Sequence, residues 1–226
     1  MRLSEFMRGL ADVRSPGSLS NKLRGRRFAR FEQLIASLPK PVRVLDIGGT
    51  NRYWETRDYA GRVDVQITTV NLRPEPQVHG NIVPLRGDAT ALGQFSGEEF
   101  DVVFSNSTIE HLFTPAAQAA MAAEIRRLAP AYYVQTPNYW FPIEPHFLFP
   151  GWHWLPEGLR VAMVRRRRIG HRGPAEDVIQ ARALVREIRL LTLRELLVLF
   201  PDGQIVKERV GPLVKSFVAV RERVDL

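Results

Sequence analysis

Three side chains in the middle of the chain have the chemistry of a general base, or of a group that orients one: His111, Glu144 and His146. Imidazole titrates near neutral pH and can take a proton from a hydroxyl group, and a nearby carboxylate can orient the ring or bind a substrate hydroxyl. Glu144 and His146 also have the spacing of a metal-ligand pair, but no third ligand is evident, so we expect no metal. These residues predict acid–base catalysis, and a purely structural histidine is the alternative at either position.

A glycine turn follows the apolar stretch at residues 42–47. Asp46 stands near the end of that stretch, and Gly48 and Gly49 follow it, so backbone N–H groups can approach a nucleotide-like ligand closely. Asn51 stands where the third glycine of the dinucleotide-binding fingerprint would be, and no phosphate-binding P-loop is matched. The turn predicts a cofactor site, with a plain structural turn as the alternative.

The composition is that of a folded protein with an excess of positive charge. The chain has 226 residues, of which 45% are hydrophobic and 25% charged, with a formal net charge of +8 and no cysteine. The lack of cysteine excludes disulfides, thiolate-bound metals and a cysteine nucleophile. Neither a secretory signal nor an apolar run long enough to cross a membrane is evident, so we expect a cytoplasmic protein.

The basic residues form two clusters, one at residues 22–30 and one that includes Arg165–Arg168 and continues to Arg189. Such a density predicts an anionic substrate or a peripheral membrane contact through Arg165–Arg168, and a solvated surface is the alternative. Specific nucleic-acid binding is disfavoured, because no zinc finger, RNA-recognition motif or base-reading helix accompanies the charge.

Strands and helices alternate along most of the chain, after a first amphipathic helix from about Ser18 to Leu38. The periodicity predicts helices over 115–128 and 192–200 and strands over 42–47, 65–72, 82–86, 100–104, 131–135, 204–210 and 216–221. This order predicts an α/β fold with a doubly wound, mostly parallel seven-stranded sheet that ends in a C-terminal antiparallel hairpin.

The domain organisation follows from one long connection between the predicted elements. We predict an N-terminal helical extension over residues 1–40 and a single sheet domain over residues 41–226. Residues 138–191 form a connection of unusual length, aromatic and proline-rich in its first part and arginine-rich in its second. We expect this insertion to be a substrate cap, and a structural excursion at the sheet edge is the alternative.

The ends of the predicted parallel strands bring polar residues and glycines together. In an open parallel sheet, ligands bind beyond the carboxyl ends of the strands. The residues that follow those ends are Asp46–Asn51, Asn71 and Leu72, Gly87–Ala89, Ser105–His111 and Gln135–Asn138. We therefore expect the binding site at this edge of the sheet.

With these segments the chain resembles the class I S-adenosylmethionine-dependent methyltransferases, in the branch with a generic small-molecule methyltransferase domain. The matching pieces are Val44–Gly49, Gly87–Ala89, Phe100–Leu112 and the terminal hairpin. The resemblance covers residues from about 40 to 137. It implies a Rossmann-like methyltransferase fold and S-adenosyl-L-methionine as the cofactor.

The resemblance also assigns cofactor contacts to individual residues. Gly48 and Gly49 would meet the methionine part, and Asp46 would orient the turn or accept a hydrogen bond from the cofactor's amino group. Asp88 would accept from the adenine amino group, and the Ala89 N–H would donate to the ring. A carboxylate suits that position because an ionised acid only accepts hydrogen bonds, whereas an exocyclic amine donates them.

Asn71, Leu72 and Asn106 complete the expected cofactor edge, after the second and fourth strands. The family commonly has Asp or Glu in place of Asn71, where the carboxylate grips both ribose hydroxyls, and an uncharged amide offers one acceptor instead. Thr50 replaces the usual second turn glycine. These two departures predict a weaker or shared ribose contact and a stiffer turn.

The sequence thus predicts an enzyme, an S-adenosylmethionine-dependent methyltransferase that acts on an oxygen of a small or lipid-linked metabolite. The first alternative is a non-catalytic binding or regulatory protein that keeps the fold. The second, an NAD(P)-dependent oxidoreductase, is disfavoured by the missing third glycine, by Asn71 and by the predicted terminal hairpin.

Overall fold

The structure is a computed structural model that describes the backbone of residues 19–223, with the side chains of residue 25 and of residues 27–223. Residues 1–18 of the predicted N-terminal extension lie outside this range, as do several side chains of the basic cluster at residues 22–30. Among the described residues, no helix has both the length and the apolar character that a membrane span requires.

A seven-stranded sheet forms the centre of the fold. Its strands are β1 (Val42–Ile47), β2 (Val65–Asn71), β3 (Ile82–Arg86), β4 (Val102–Asn106), β5 (Ala131–Pro137), β6 (Gln204–Val210) and β7 (Leu213–Arg221). They lie in the order β3-β2-β1-β4-β5-β7-β6. The first five strands are parallel, whereas β7 runs antiparallel to both β5 and β6. The predicted sheet with its C-terminal hairpin is therefore confirmed.

Two strands start at other residues than predicted: β7 begins at Leu213 rather than Ser216, and β4 begins at Val102 rather than Phe100. The Asp101 carboxylate accepts a hydrogen bond from the Arg43 backbone N–H at 2.7 Å and pairs with the Arg43 guanidinium at 2.9 Å. The Arg43 N–H therefore donates to a side chain and is not available for strand pairing at this position. The β1–β4 register begins one residue later, at Val44 opposite Val102.

Several of the helices begin where a short side chain satisfies one of their first backbone N–H groups. The α-helices are α1 (Leu19–Ala36), α2 (Asn51–Glu55), α3 (Pro115–Leu128), α4 (Glu157–Arg166), α5 (Val178–Arg186) and α6 (Leu193–Leu199), with 3₁₀ turns at Ile109–His111 and Trp152–Trp154. Thr114 caps α3 by accepting from the Ala117 N–H at 3.1 Å, and Thr192 and Glu195 form a capping box at α6.

The chain divides into two compact units. The sheet unit comprises residues 38–140 and 187–223, and its core packs apolar residues of the sheet against those of the helices. Fully buried members of this core include Leu45, Val103, Ile125, Leu128, Val134 and Leu196. Burial of such side chains is the main stabilising contribution to the sheet unit.

The second unit comprises residues 141–186 together with helix α1. It has an apolar core of its own, which includes Phe147, Trp152, Val161, Val164, Ile169 and Val185. Phe147 and Trp152 stack with ring centroids 4.3 Å apart. Most of the predicted insertion is thus a packed unit with a separate core, and its role as a substrate cap stays a prediction.

Candidate functional site

The carboxyl ends of the five parallel strands meet at one edge of the sheet. The strand registers place Asp46 opposite both Thr69 and Phe104, and Asn106 opposite Gln135. The segments that follow these strands therefore start close together, as expected for a ligand edge in an open parallel sheet.

The glycine turn after β1 has room for no side chain at either glycine. Gly48 has a φ of +86°, and a Cβ there would lie 2.3 Å from Thr108 Oγ1. A Cβ on Gly49 would lie 1.8 Å from Asp46 Oδ2. Both distances are far below a contact distance, so close packing inside the turn requires both glycines, whatever ligand the turn binds.

Asp46 lies beneath this turn and is almost completely buried. The Trp54 indole N–H donates a hydrogen bond to its Oδ2 at 2.7 Å. Burial raises the pKa of Asp46 to about 7, although the Trp54 hydrogen bond and the charge of Arg57 both lower it. The contact supports the predicted role of Asp46 in orienting the turn, and a contact with the cofactor's amino group stays a prediction.

The two departures from the family pattern have structural explanations. Thr50 is in the extended conformation with a φ of −131°, which does not require glycine, and its hydroxyl caps α2 by accepting from the Tyr53 N–H at 3.2 Å. Asn71 donates from Nδ2 to the Gly49 carbonyl at 2.7 Å. Thr50 and Asn71 therefore both form hydrogen bonds within the protein that stabilise the turn and the start of α2.

The loop after β2 contributes a carboxylate that the sequence analysis missed. Glu75 Oε2 accepts a hydrogen bond from the Asn51 backbone N–H at 2.7 Å, and Asn51 Nδ2 donates to the Pro76 carbonyl at 2.9 Å. The sequence contains a usable signal, because Glu75 is the only acidic residue between β2 and β3. Glu75 and Pro76 thus tie this loop to the start of α2.

The side chain of Asn51 contains a buried acceptor atom that a bound cofactor could satisfy. The side chain is buried, and its Oδ1 accepts no hydrogen bond from residues 19–223. A buried acceptor without a donor is costly, and an amino group of a bound ligand can supply that donor. The atom stands directly beside the glycine turn in the chain, so the residues present fit a ligand with an amine.

The segment after β3 places Asp88 and Ala89 at the same edge. Asp88 Oδ1 accepts hydrogen bonds from the Thr90 backbone N–H at 2.9 Å and from the Thr90 hydroxyl at 2.7 Å. These bonds hold the pKa of Asp88 below its ordinary value, so the carboxylate is ionised and only accepts. Asp88 is exposed and Ala89 is half-buried, and the adenine contact stays a prediction.

The segment after β4 is held against two neighbouring strand ends. Ser107 donates from its backbone N–H to the Gln135 carbonyl at 3.0 Å, and Thr108 donates from its hydroxyl to the Ile47 carbonyl at 3.1 Å. Asn106 and His111 are both half-buried in this segment. The structure thus places Asn106 and His111 at the same edge as the glycine turn. Leu72, after β2, is more exposed than either of them, at 67%.

The other two candidate catalytic residues form a hydrogen-bonded pair in the second unit. His146 Nδ1 lies 2.5 Å from Glu144 Oε1, and Glu144 Oε2 accepts from the backbone N–H groups of His146 at 2.9 Å and Phe147 at 2.7 Å. The Glu144 side chain is 1% exposed and the His146 side chain is 23% exposed. Glu144 is therefore held in one orientation, and it holds the imidazole ring in turn.

Comparison with known proteins agrees with this architecture. Residues 45–130 match the protein family described as a methyltransferase domain. Two uncharacterized proteins from two strains of Mycobacterium tuberculosis are each 32% identical over 160 residues, which covers 65% of this chain and 53% of theirs. The chain therefore spans about half the length of the curated relatives that it matches.

Solved structures share the fold at low sequence identity. A 1,6-didemethyltoxoflavin-N1-methyltransferase from Burkholderia thailandensis, solved with bound S-adenosylhomocysteine, has a TM-score of 0.53 and 18% identity, and the match covers 98% of this chain and 87% of that one. A possible exported protein from Bordetella parapertussis has a TM-score of 0.55 and 16% identity, with 97% and 79% covered.

The sheet topology, the glycine turn and the matched domain together relate this chain to one class of proteins. It has the Rossmann-like fold of the class I S-adenosylmethionine-dependent methyltransferases, as the sequence predicted, and residues 45–130 match a methyltransferase domain. The cofactor of this class is S-adenosylmethionine. The residues at the sheet edge fit it, because the turn has no side chains that would keep a ligand from its backbone, and Asn51 Oδ1 and the Asp88 carboxylate are acceptors suited to amino groups.

Proposed function

We propose that this methyltransferase acts on an oxygen atom of a small or lipid-linked metabolite, with His146 as the general base and Glu144 as the residue that orients it. The observation that carries the proposal is the contact between His146 Nδ1 and Glu144 Oε1 at 2.5 Å. Two parts of this proposal go beyond the comparison with known proteins: the atom that is methylated and the chemical class of the acceptor molecule.

The geometry of the pair explains its suitability as a base. Glu144 accepts the Nδ1–H of His146, which makes Nε2 the basic nitrogen of the ring. A hydroxyl acceptor must lose its proton as it is methylated, and Nε2 takes that proton. The buried carboxylate stabilises the resulting imidazolium, which releases the proton to solvent after the product leaves.

The cofactor contacts proposed for the sheet edge follow the strand ends. Gly48 and Gly49 would hold the methionine part together with Asp46, and the ribose would lie at Asn71 and Leu72. The adenine would meet Asp88, Ala89 and the end of β4 at Asn106. When bound, S-adenosylmethionine supplies a methyl group on a positively charged sulfur, and alignment of the acceptor with that methyl accounts for much of the catalysis.

The second unit supports an amphipathic or ring-containing acceptor. Its aromatic segment includes the stacked pair of Phe147 and Trp152, and Trp154 is half exposed. Aromatic side chains beside a few polar groups are typical of sites that bind small organic ligands. The exposed arginines of Arg165–Arg168 suit an acceptor that carries phosphate, as lipid-linked metabolites do.

The decisive experiment measures methyl transfer from labelled S-adenosylmethionine to a panel of phenols, sugar hydroxyls and hydroxylated lipids. We expect His146→Ala to lower kcat by about 10²- to 10⁴-fold. Cofactor affinity, measured by calorimetry, should be nearly unchanged. His171→Ala is a matched control, because His171 has an exposed side chain in the same unit.

Three outcomes would contradict parts of the proposal. A large loss in His111→Ala with full activity in His146→Ala would assign the base to the sheet unit. Methylation of amines alone would overturn the oxygen acceptor. Tight cofactor binding without turnover on any acceptor would favour a binding or regulatory protein that has kept the fold.

A further inference from the structure

Four consecutive arginines extend from the end of α4 in the second unit. Arg165–Arg168 are all exposed, and within residues 19–223 none of them forms an ion pair with a carboxylate. Arg182 and Arg186, on the neighbouring helix, contrast with them because both pair with Glu157, at 3.4 Å and 3.0 Å. The run therefore presents uncompensated positive charge to solvent.

Exposed aliphatic side chains lie at the same end of this helix pair. Glu157, at the start of α4, pairs with the second half of α5, so the two helices run antiparallel. At the other end, the Ala175 N–H donates to the Val164 carbonyl at 3.0 Å. The first turn of α5 thus lies beside the arginines, and there Ile179 is 82% exposed and Val178 is 42% exposed.

We propose that this surface docks the protein on an anionic phospholipid membrane. The docking face consists of Arg165–Arg168, Val178 and Ile179. Guanidinium groups bind lipid phosphates through paired hydrogen bonds, and aliphatic side chains beside them enter the boundary between headgroups and acyl chains. The proposal goes beyond the methylation reaction and does not depend on which acceptor is used.

The acidic residues near the docking face do not cancel its charge. Glu176 and Asp177 are exposed just before α5, and Asp177 Oδ1 caps that helix by accepting from the Gln180 N–H at 2.7 Å. The four arginines outnumber these two carboxylates, so the docking face keeps a net positive charge. Attraction to anionic lipids is therefore retained at low salt.

The exposed isoleucine favours a membrane over a nucleic acid as the partner. A phosphate backbone offers Ile179 no apolar surface, whereas the lipid boundary buries its whole side chain. A polyanion would use only the arginines. The two partners therefore differ in whether binding depends on Ile179, and an experiment can separate them.

The test is cosedimentation of the full chain with vesicles of phosphatidylcholine plus phosphatidylglycerol, with pure phosphatidylcholine vesicles as reference. We expect binding to the anionic vesicles that weakens as sodium chloride is raised. Arg167→Gln with Arg168→Gln should lower the partition coefficient about fivefold for each arginine. Ile179→Ser should lower it about tenfold.

Matched variants on the sheet unit serve as controls. Arg194→Gln with Lys207→Gln removes the same charge from exposed positions, and Val63→Ser removes an aliphatic side chain that is 88% exposed. Both should bind vesicles like the parent chain. Circular dichroism of every variant checks that a loss of binding does not come from unfolding.

Several results would overturn the docking face. One is no binding to anionic vesicles at low salt, and another is an equal loss in the control variants. Binding to a DNA duplex that matches vesicle binding and is unaffected by Ile179→Ser would assign the arginines to a polyanion. Vesicle binding without methyl transfer to any acceptor would support the docking face and contradict only the proposed reaction.

Discussion

The two compact units use their polar groups in different ways. In the sheet unit, Asp46 is held by Trp54 and Asn71 by the Gly49 carbonyl, so the side chains shape a backbone cradle. In the second unit, Glu144 instead positions the side chain of His146. The comparison indicates that side chains of the sheet unit shape the backbone of the glycine turn, whereas Glu144 positions the side chain that we propose as the general base.

The largest expected effect on cofactor binding comes from a substitution that disrupts the glycine turn and leaves the second unit intact. Gly49→Ala would place a Cβ 1.8 Å from Asp46 Oδ2, so we expect the free energy of unfolding to fall by about 3 kcal/mol. Cofactor binding should be lost in calorimetry. Gly93→Ala is the control, because nothing lies within 4 Å of a Cβ there. Normal cofactor affinity in Gly49→Ala would contradict the cradle.

The raised pKa of Asp46 predicts how the stability of the protein depends on pH. Its pKa of about 7 in the folded chain exceeds the ordinary value near 3.8, so the folded state binds more protons between these limits. The free energy of unfolding therefore falls as pH rises through this window, by about 4 kcal/mol at most. Asp46→Asn should remove this decline, as measured by urea denaturation at several pH values.

Asp64 provides the control for this titration. Its hydrogen bond and ion pair with Arg62 hold the pKa of Asp64 at about 2, so its stabilising contribution is lost only at lower pH. Asp64→Asn should leave the pH dependence between pH 4 and pH 7 as in the parent chain. Equal slopes for Asp46→Asn and the parent would show that Asp46 does not titrate in this window.

A smaller effect is expected for the orienting residue of the second unit. Glu144→Gln keeps the size of the side chain but removes the charge that stabilises the imidazolium, so kcat should fall about 10- to 100-fold. The pH–rate profile should shift to lower pH because His146 becomes less basic. Cofactor affinity should not change. A lower kcat with an unshifted profile would indicate a purely structural role.

The smallest effect concerns the loop that is tied to the turn. Glu75→Ala removes the acceptor of the Asn51 N–H, which should lower the free energy of unfolding by about 1 kcal/mol. We also expect the cofactor dissociation constant to rise about fivefold, since the start of α2 loses a support. Glu98→Gln is the control at an exposed position. Unchanged stability and cofactor affinity in Glu75→Ala would show that the hydrogen bond between Glu75 and the Asn51 N–H contributes to neither.

Periodicity and turn residues were sufficient to predict most of the sheet. The predicted bounds of β1, β3, β6 and α3 agree with the structure, because apolar alternation and caps act over a few residues. The start of β4 could not be predicted, since it depends on Asp101 reaching the Arg43 N–H from 58 residues away. Effects of that range are invisible to local patterns.

By itself, the sequence determined the class of fold, the glycine turn at Gly48 and Gly49 and the local pairing of Glu144 with His146, because each depends on neighbouring residues. Only the tertiary structure decided that Asn71 supports the turn, that Glu75 ties its loop to Asn51 and that burial shifts the titration of Asp46. Those properties depend on desolvation and on hydrogen bonds between distant segments, and neither exists until the chain is packed.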